Sequence, residues 1–320
     1  MIKLDQIDKN ILFELDKDAR RSVKEISKML KLNRDTVAYR IKQLENNKII
    51  TGYYTVIDYS KIGYILTRLY IRFQDTTLDI EEQIINYLIS LKSTFTIYKT
   101  EGDWDIAVGL LVKSLDEFNT AHKELQEKIK KFIHSQNIAI FLEYIHYFRN
   151  YLVEEKLRDY SGFSTGKSQK IDFDSVDLDI LKLIAANAKI NLLELAKKLN
   201  LTSTAINYRI KQLEKKRIIL GYRALIDYSN FGYEYYKIDL EIEDLTKLKQ
   251  LQAFAKQHPN IIYEDRVISG SDFEFDAELQ GHEEFYNLIE NIKRNFSGII
   301  RTYKYYKARK IYKYTYFPEE

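Results

Sequence analysis

The sequence predicts an α+β protein built twice from one plan. Each of the two copies is a winged helix-turn-helix unit followed by a ferredoxin-like domain of βαββαβ order. Three observations predict this. The heptapeptide YRIKQLE stands at 39–45 and again at 208–214, 169 positions apart in a chain of 320. IITGYYTVIDYSKIGY at 49–64 matches IILGYRALIDYSNFGY at 218–233 at the same offset, with ten of sixteen positions identical. After each repeated block the apolar spacing passes from helical to alternating and back, in matching order.

In the first copy, Ile7, Ile11, Leu12 and Leu15 recur at helical spacing. Ser22 can cap a second helix, and Glu25 three residues later completes a capping box. KLN at 31–33 breaks that helix, and Asn33 can cap a third from about Arg34 to Asn46, with Val37, Ile41 and Leu44 as its buried stripe. The segment after it, IITGYYTVIDYS, has strand character around a glycine turn, which reads as a wing. The second copy repeats the design with Leu192–Leu199, then Ser203–Lys216 with Ile206, Ile210 and Leu213 inward. The predicted boundaries are 1–62 and 171–231 for the two winged units, 63–150 and 232–320 for the two αβ domains, and 151–170 for a linker marked by the small, polar GFSTGKSQ at 162–169.

Composition sets the class. With 45% hydrophobic and 30% charged residues the chain is ordinary globular material. It has no cysteine, so neither a disulfide framework nor a thiolate metal site is available. Met1 leads directly into the charged KLDQIDKN, unlike a signal peptide, and the longest apolar runs, such as IAIFL at 138–142, are too short to span a bilayer. A soluble cytoplasmic protein with no membrane partner is expected. The net charge of +3 is unevenly spread. The windows 20–48 and 189–217 carry +6 each, which leaves −9 for the rest of the chain. Two basic islands on an acidic background suit two contacts with a polyanion, or simply two solvated helix faces.

These residues resemble a known family. LDQIDKNIL, the helix pair EISKMLKLNRDTVAYRIKQLE, the II-x-GY…ID…GY block and GDWD are similar to the Lrp/AsnC (feast/famine) transcription regulators, over nearly the whole chain and twice over. The resemblance implies DNA-binding winged helices, an ACT-like αβ domain that makes the dimer and often binds amino acids, and further assembly of chains into a homo-oligomer. Two departures stand out. Lys48 and Arg217 occupy the place after the recognition helix where the family usually has glycine, so Asn47 or a different turn must close that helix. The family also usually carries one copy per chain, so duplication suggests an intramolecular pseudo-dimer.

Double-stranded DNA is therefore the expected partner. The expected contact residues are Asn33, Arg34, Asp35, Thr36, Tyr39, Arg40 and Lys42 in the first copy, with Thr202, Ser203, Thr204, Asn207, Tyr208, Arg209 and Lys211 in the second. The shared Tyr, Arg and Lys positions suit phosphates, and the resemblance places backbone contact on Arg40 and Arg209. RDTVA at 34–38 becomes STAIN at 203–207, so Arg34 can read guanine where Asn207 can read adenine. This predicts an operator with two unlike half-sites, against the simpler account of drift on two exposed helices.

The resemblance also points to an amino-acid effector near Gly102, Asp103, Trp104 and Asp105 and near Gly270, Ser271 and Asp272, with Asp105 receiving an α-amino group. A glycine–aspartate hairpin turn explains the same letters. The tyrosine- and lysine-rich stretch at 301–317 reads as a final strand with one exposed face, in preference to a single-stranded nucleic-acid platform. No cofactor, metal site or enzymatic activity is expected: His122, His134, His146, His258 and His282 show no metal-ligand spacing, and no phosphate-binding glycine motif occurs. The enzymatic alternative of this architecture, siroheme decarboxylase, uses a His-Asn-Tyr-x-Arg type of motif. Here those segments read YKTEGDWDIAV and YEDRVISGSDFEFD instead. An architectural DNA-binding protein is the other alternative, disfavoured by the small net charge.

Overall fold

The computed structural model describes residues 2–315 and 317; Met1, Tyr316 and residues 318–320, which fall within the expected domain ranges, lie outside the described residues. Each copy opens with three helices: α1 (Gln6–Lys17), α2 (Val23–Leu30) and α3 (Arg34–Asn46), matched later by α6 (Ser175–Ala185), α7 (Leu192–Leu199) and α8 (Ser203–Lys215). Their starts follow from capping chemistry. Ser22 Oγ accepts from Glu25 N at 3.2 Å while Ser22 N donates to Glu25 Oε2 at 2.8 Å, and Asn33 Oδ1 accepts from Asp35 N at 2.8 Å. Asp174, Asn191 and Thr202 cap the second set. The stripes Val37–Ile41–Leu44 and Ile206–Ile210–Leu213 are buried.

The strand after α3, β1 (Ile50–Ile57), does not turn at Gly52. It pairs antiparallel with its counterpart β7 (Ile219–Ile226), Tyr53 opposite Ala224 and Tyr54 opposite Arg223. The expected glycine turn loses because each strand buries most of one face, and the pseudo-symmetric partner pairs with seven residues of β1 where a local hairpin would pair about half as many.

The remaining strands are β2 (Ile65–Phe73), β3 (Thr94–Gly102), β4 (Ile106–Val112) and β5 (Ile133–Tyr147) in the first copy, then β8 (Glu234–Ile242), β9 (Ile261–Ile268), β10 (Phe273–Leu279) and β11 (Ile300–Tyr314) in the second. Helices α4 (Leu78–Ser90), α5 (Leu115–Ile129), α9 (Leu248–Gln257) and α10 (Gly281–Asn295) cross between them. Within a copy the strands lie fourth, first, third, second. The two sets then join along β3–β11 and β5–β9, and the β2–β5 pairing closes the ring. The result is a closed antiparallel barrel with no open edge around the ring.

Alternation along these strands sorts the side chains. Leu69, Ile71, Ile97 and Val108 pack under α4 and α5, and Ile238, Leu240, Phe273 and Phe275 under α9 and α10. The alternate residues, including Tyr70, Tyr98, Tyr235, Tyr263 and Tyr306, fill the barrel.

The segment 151–170, expected as a linker, is built into the fold. Its β6 (Gly162–Thr165) pairs with β5, Thr165 opposite Tyr144 and Gly162 opposite Tyr147. The cause is geometric: β5 outruns β2, whose pairing stops at Ile140, and β6 covers the edge left over. Gly162 permits the approach, since a Cβ there would lie 2.2 Å from the carbonyl oxygen of His146.

Candidate nucleic-acid interface and ligand pocket

Helices α3 and α8 each turn a polar face outward. Asn33, Arg34, Asp35, Thr36, Tyr39 and Lys42 are exposed, as are Thr202, Thr204, Tyr208 and Lys211; Ser203 and Asn207 are half-buried. Tyr39 and Tyr208 stand 61% and 64% exposed, unusual for large aromatic rings and apt for a surface that meets a partner.

Arg40 and Arg209 each pair with two carboxylates of their own copy. Arg40 Nη1 lies 2.8 Å from Asp5 Oδ2 and 3.1 Å from Asp8 Oδ1, and Arg209 Nη1 lies 2.8 Å from both Asp174 Oδ2 and Asp177 Oδ1. Each guanidinium therefore ties its recognition helix to the capped start of the copy's first helix. The physical reason is proximity: carboxylates that cap α1 and α6 lie within reach of the i+6 position of the third helix and outcompete water for the charge. Capping N–H donors, helped by Arg40 or Arg209, hold the carboxyls of Asp5 and Asp174 below the usual range against the opposing effect of burial.

The ends of the recognition helices close without glycine. Lys48 and Arg217 themselves take left-handed backbone, φ 57° and 59°. Lys48 N bonds to Glu45 O and Ile49 N to Leu44 O, and Arg217 N and Ile218 N repeat this with Glu214 O and Leu213 O. Backbone that glycine adopts readily is here imposed on a lysine and an arginine, and the side chain bears the strain.

The two units interlock through matched tyrosines. Tyr53 Oη donates to Glu45 Oε1 at 2.6 Å beneath Lys189 of the other copy, whose Nζ stands 3.7 Å from the ring centre. Tyr222 Oη donates to Glu214 Oε1 at 2.6 Å, with the Arg20 guanidinium 3.7 Å from its ring centre. Each recognition helix thus rests on a strand tyrosine clamped by a cation from the opposite copy.

The expected effector residues lie at the ends of strands, where three of their carboxylates accept backbone hydrogen bonds. Asp105 Oδ2 accepts from Phe73 N at 2.7 Å, Asp272 Oδ2 from Ile242 N at 2.8 Å and Asp103 Oδ2 from Tyr305 N at 2.9 Å. These carboxylates already hold the ends of neighbouring strands. Trp104 stacks on Tyr70 with centroids 5.8 Å apart, Gly102 approaches Tyr305 O too closely for any Cβ, and Gly270 and Ser271 sit against Glu274.

Two features went unforeseen. One is a cavity of about 580 Å³ between the β1–β7 ribbon and one mouth of the barrel, lined among others by Tyr54, Tyr98, Asp227, Tyr228, Lys310 and Tyr314. The other is a buried charge cluster in the barrel. Lys237 Nζ lies 2.8 Å from Asp265 and from Glu274, 3.3 Å from Asp239 and 3.7 Å from Asp276, while Arg68 reaches Asp265 at 3.3 Å. Burial, opposed by Lys237 and assisted by the other carboxylates, pushes Asp239 up to about 7; burial and Asp265 push Asp276 up to about 7. The sequence did carry a signal for the cluster: acidic letters at 274, 276 and 278 stand where the first copy has Ala107, Gly109 and Leu111. The cavity, formed from chain segments far apart, left no such trace.

Two family models match the chain. The AsnC-type helix-turn-helix domain covers residues 4–45, and a winged helix-turn-helix DNA-binding family covers residues 173–219. Among curated relatives, the HTH-type transcriptional regulator Ptr1 of Methanocaldococcus jannaschii is 30% identical over 142 residues, 43% of this chain and 90% of the relative. The chain belongs to the Lrp/AsnC family. The HTH-type transcriptional regulator FL11 of Pyrococcus furiosus is 31% identical over 117 residues, 36% of this chain and 76% of its own length. Each of these matches covers less than half of this chain. A solved siroheme decarboxylase, NirDL, shares the fold over 97% of this chain and 93% of its own, at TM-score 0.64 and 12% identity. That likeness is one of fold. This Lrp/AsnC chain is a helix-turn-helix transcription regulator, and among its described residues no helix is long and apolar enough to cross a membrane.

Proposed function

We propose that the protein is a sequence-specific regulator that grips double-stranded DNA as a single-chain pseudo-dimer. In this reading 1–62 and 171–231 are the DNA-binding units, and 63–150 and 232–320 are ferredoxin-like, ACT-like scaffolds joined through 151–170. The observation that carries it is the β1–β7 ribbon, which fastens two helix-turn-helix units at a fixed separation while both recognition helices keep their polar faces in solvent. Linking the two raises the effective concentration of the second unit once the first is bound.

The exposed faces differ where bases would be read, so the preferred operator has two unlike half-sites spaced by one helical turn or a multiple of it. Arg34 serves guanine in one half-site and Asn207 adenine in the other, while Tyr39, Lys42, Tyr208 and Lys211 hold phosphates. Selection of binding sequences from random duplexes tests this. An asymmetric consensus is expected, and a perfect palindrome overturns it. An amino-acid effector at Gly102–Asp105 or Gly270–Asp272 would have to be held without the committed carboxylates, and calorimetric titration with single amino acids measures whether any binds. Pairing of chains into a larger assembly is measured by sedimentation.

A further inference from the structure

The two recognition helices are tied together by more than the β1–β7 ribbon. A two-stranded ribbon twists more than a wider sheet and is marginal alone, and this one shifts register near both ends. It holds the units side by side and leaves the angle between α3 and α8 to other contacts. Several of those come in pseudo-symmetric pairs. Lys61 Nζ donates to Lys216 O past the end of α8 at 2.8 Å, and Asn230 Nδ2 to Lys48 O past the end of α3 at 3.0 Å. Ala19 N donates to Tyr222 O at 2.8 Å, and Ala188 N to Tyr53 O at 2.9 Å.

One contact has no mate. Arg20 lays its guanidinium on the Tyr222 ring and donates from Nε to Ala188 O at 2.8 Å. Ala188 in turn holds Tyr53, while Tyr53 and Tyr222 hold Glu45 and Glu214. A path of contacts therefore runs Glu45–Tyr53–Ala188–Arg20–Tyr222–Glu214, from one recognition helix to the other, with Arg20 in its middle. At the repeat offset of 169, Arg20 corresponds to Lys189 and Ala188 to Ala19. Lys189 covers the Tyr53 ring, but among the described residues it makes no bond to Ala19. The two cations differ in the way this requires. A guanidinium stacks by its plane and still points its Nε–H sideways at a carbonyl, whereas an ammonium carries all its donors at the tip.

Arg20 opens the first basic window, where its charge counts towards a polyanion contact. The fold uses it otherwise: the side chain is half-buried, lies on an aromatic ring and is bonded to backbone. We infer that Arg20 is a positioning residue for DNA binding, which sets the angle between the recognition helices, and so the half-site spacing, without touching DNA. The inference rests on the pseudo-dimer reading above. One base pair added between half-sites turns them against each other by about 34°, given roughly 10.5 base pairs per turn. To follow, the units must swing, and the swing breaks the contacts of Arg20. A chain that lacks those contacts has nothing there to break.

The experiment uses the full chain and duplexes carrying the two selected half-sites, with the spacer at its optimum or one base pair longer or shorter, beside a duplex with a single half-site. The wild type is expected to lose about a hundredfold in affinity off the optimum, the low end of what two-site binding adds. Arg20→Ala is expected to lose only about tenfold, because one hydrogen bond and one cation–ring contact together are worth about a factor of ten. Arg20→Lys keeps the charge and the ring contact and is expected to fall between the two. Binding to the single half-site, and the slope of log affinity against log salt, are expected to stay unchanged in both variants. A spacer profile as sharp in Arg20→Ala as in the wild type overturns the inference alone. So does a loss on the single half-site with a slope lower by about 0.9, rescued by Arg20→Lys, which is the mark of a phosphate contact. A wild type indifferent to the spacer overturns the pseudo-dimer reading and this inference with it.

Discussion

Asp16 of the first copy and Arg223 of the second form an ion pair across the pseudo-two-fold, Nη2 to Oδ1 at 2.7 Å, with side chains 0% and 1% exposed. Arg149 joins from the other side at 2.7 Å and passes on to Glu278 at 2.9 Å. Burial alone would raise the Asp16 carboxyl, but the charges of Arg223 and then Arg149 hold it below its ordinary value. Asp16→Ala leaves the buried Arg223 with no carboxylate and Arg149 with Glu278 alone, and is expected to cost about 3–5 kcal/mol in urea unfolding. The sign with pH follows from the depressed value. The contribution is full above the unfolded carboxyl value of about 3.9 and is lost as pH falls through the lower folded value.

The barrel cluster has the opposite sign. Asp239 and Asp276, each raised to about 7, bind protons in the folded state that the unfolded chain has released. Each therefore lowers stability by up to about 1.4 kcal/mol per pH unit between roughly pH 4 and pH 7. His146 and His258, depressed by burial to about 3 and about 4, act the other way over much of that range. The comparison that isolates the carboxylates is wild type against Asp239→Asn/Asp276→Asn. The variant is expected to gain on the wild type steadily from pH 4 to pH 7 and to level off above it; a pH-independent difference would sink this account.

Left-handed Lys48 and Arg217 predict a gain from glycine. Lys48→Gly and Arg217→Gly each relieve the Cβ clash of positive φ and give back part of it as unfolded-state entropy. A net stabilisation of about 0.5–1 kcal/mol is expected, read as a higher urea midpoint at unchanged slope.

Lys42 and Arg40 are expected to separate in DNA binding. Lys42→Ala removes an exposed cation from the outer face of α3 and is expected to reduce the slope of log affinity against log salt by about 0.9. Arg40→Ala removes a group already held by Asp5 and Asp8 and is expected to leave that slope nearly unchanged. Its effect should fall on stability, at under about 1 kcal/mol given the exposure of these side chains. Equal changes in slope for both variants would return Arg40 to the phosphates.

Much of this was legible in the letters because it is local. Ser22 with Glu25, Asn33, and the Val37–Ile41–Leu44 stripe each announce a helix within a few residues, and the alternating blocks gave the strand order of each copy. What escaped depends on partners far along the chain. Gly52 reads as a turn until Ala224 and Leu225 arrive to pair with β1. GFST reads as a tether until β5 is seen to overrun β2. Asp105 reads as a ligand for an amino group, whereas the nearest donor is the backbone of Phe73. Residue type announces what a group can bind; the fold decides which partner reaches it first.

Ring closure by β3–β11 and β5–β9 has a further consequence. Separate chains that associate through sheet edges can trade partners. Here both seams are sealed within one polypeptide, so the half carrying Arg34 always travels with the half carrying Asn207. The protein is insulated from exchange, and a chain interrupted near residue 150 would present two raw sheet margins instead of a regulator.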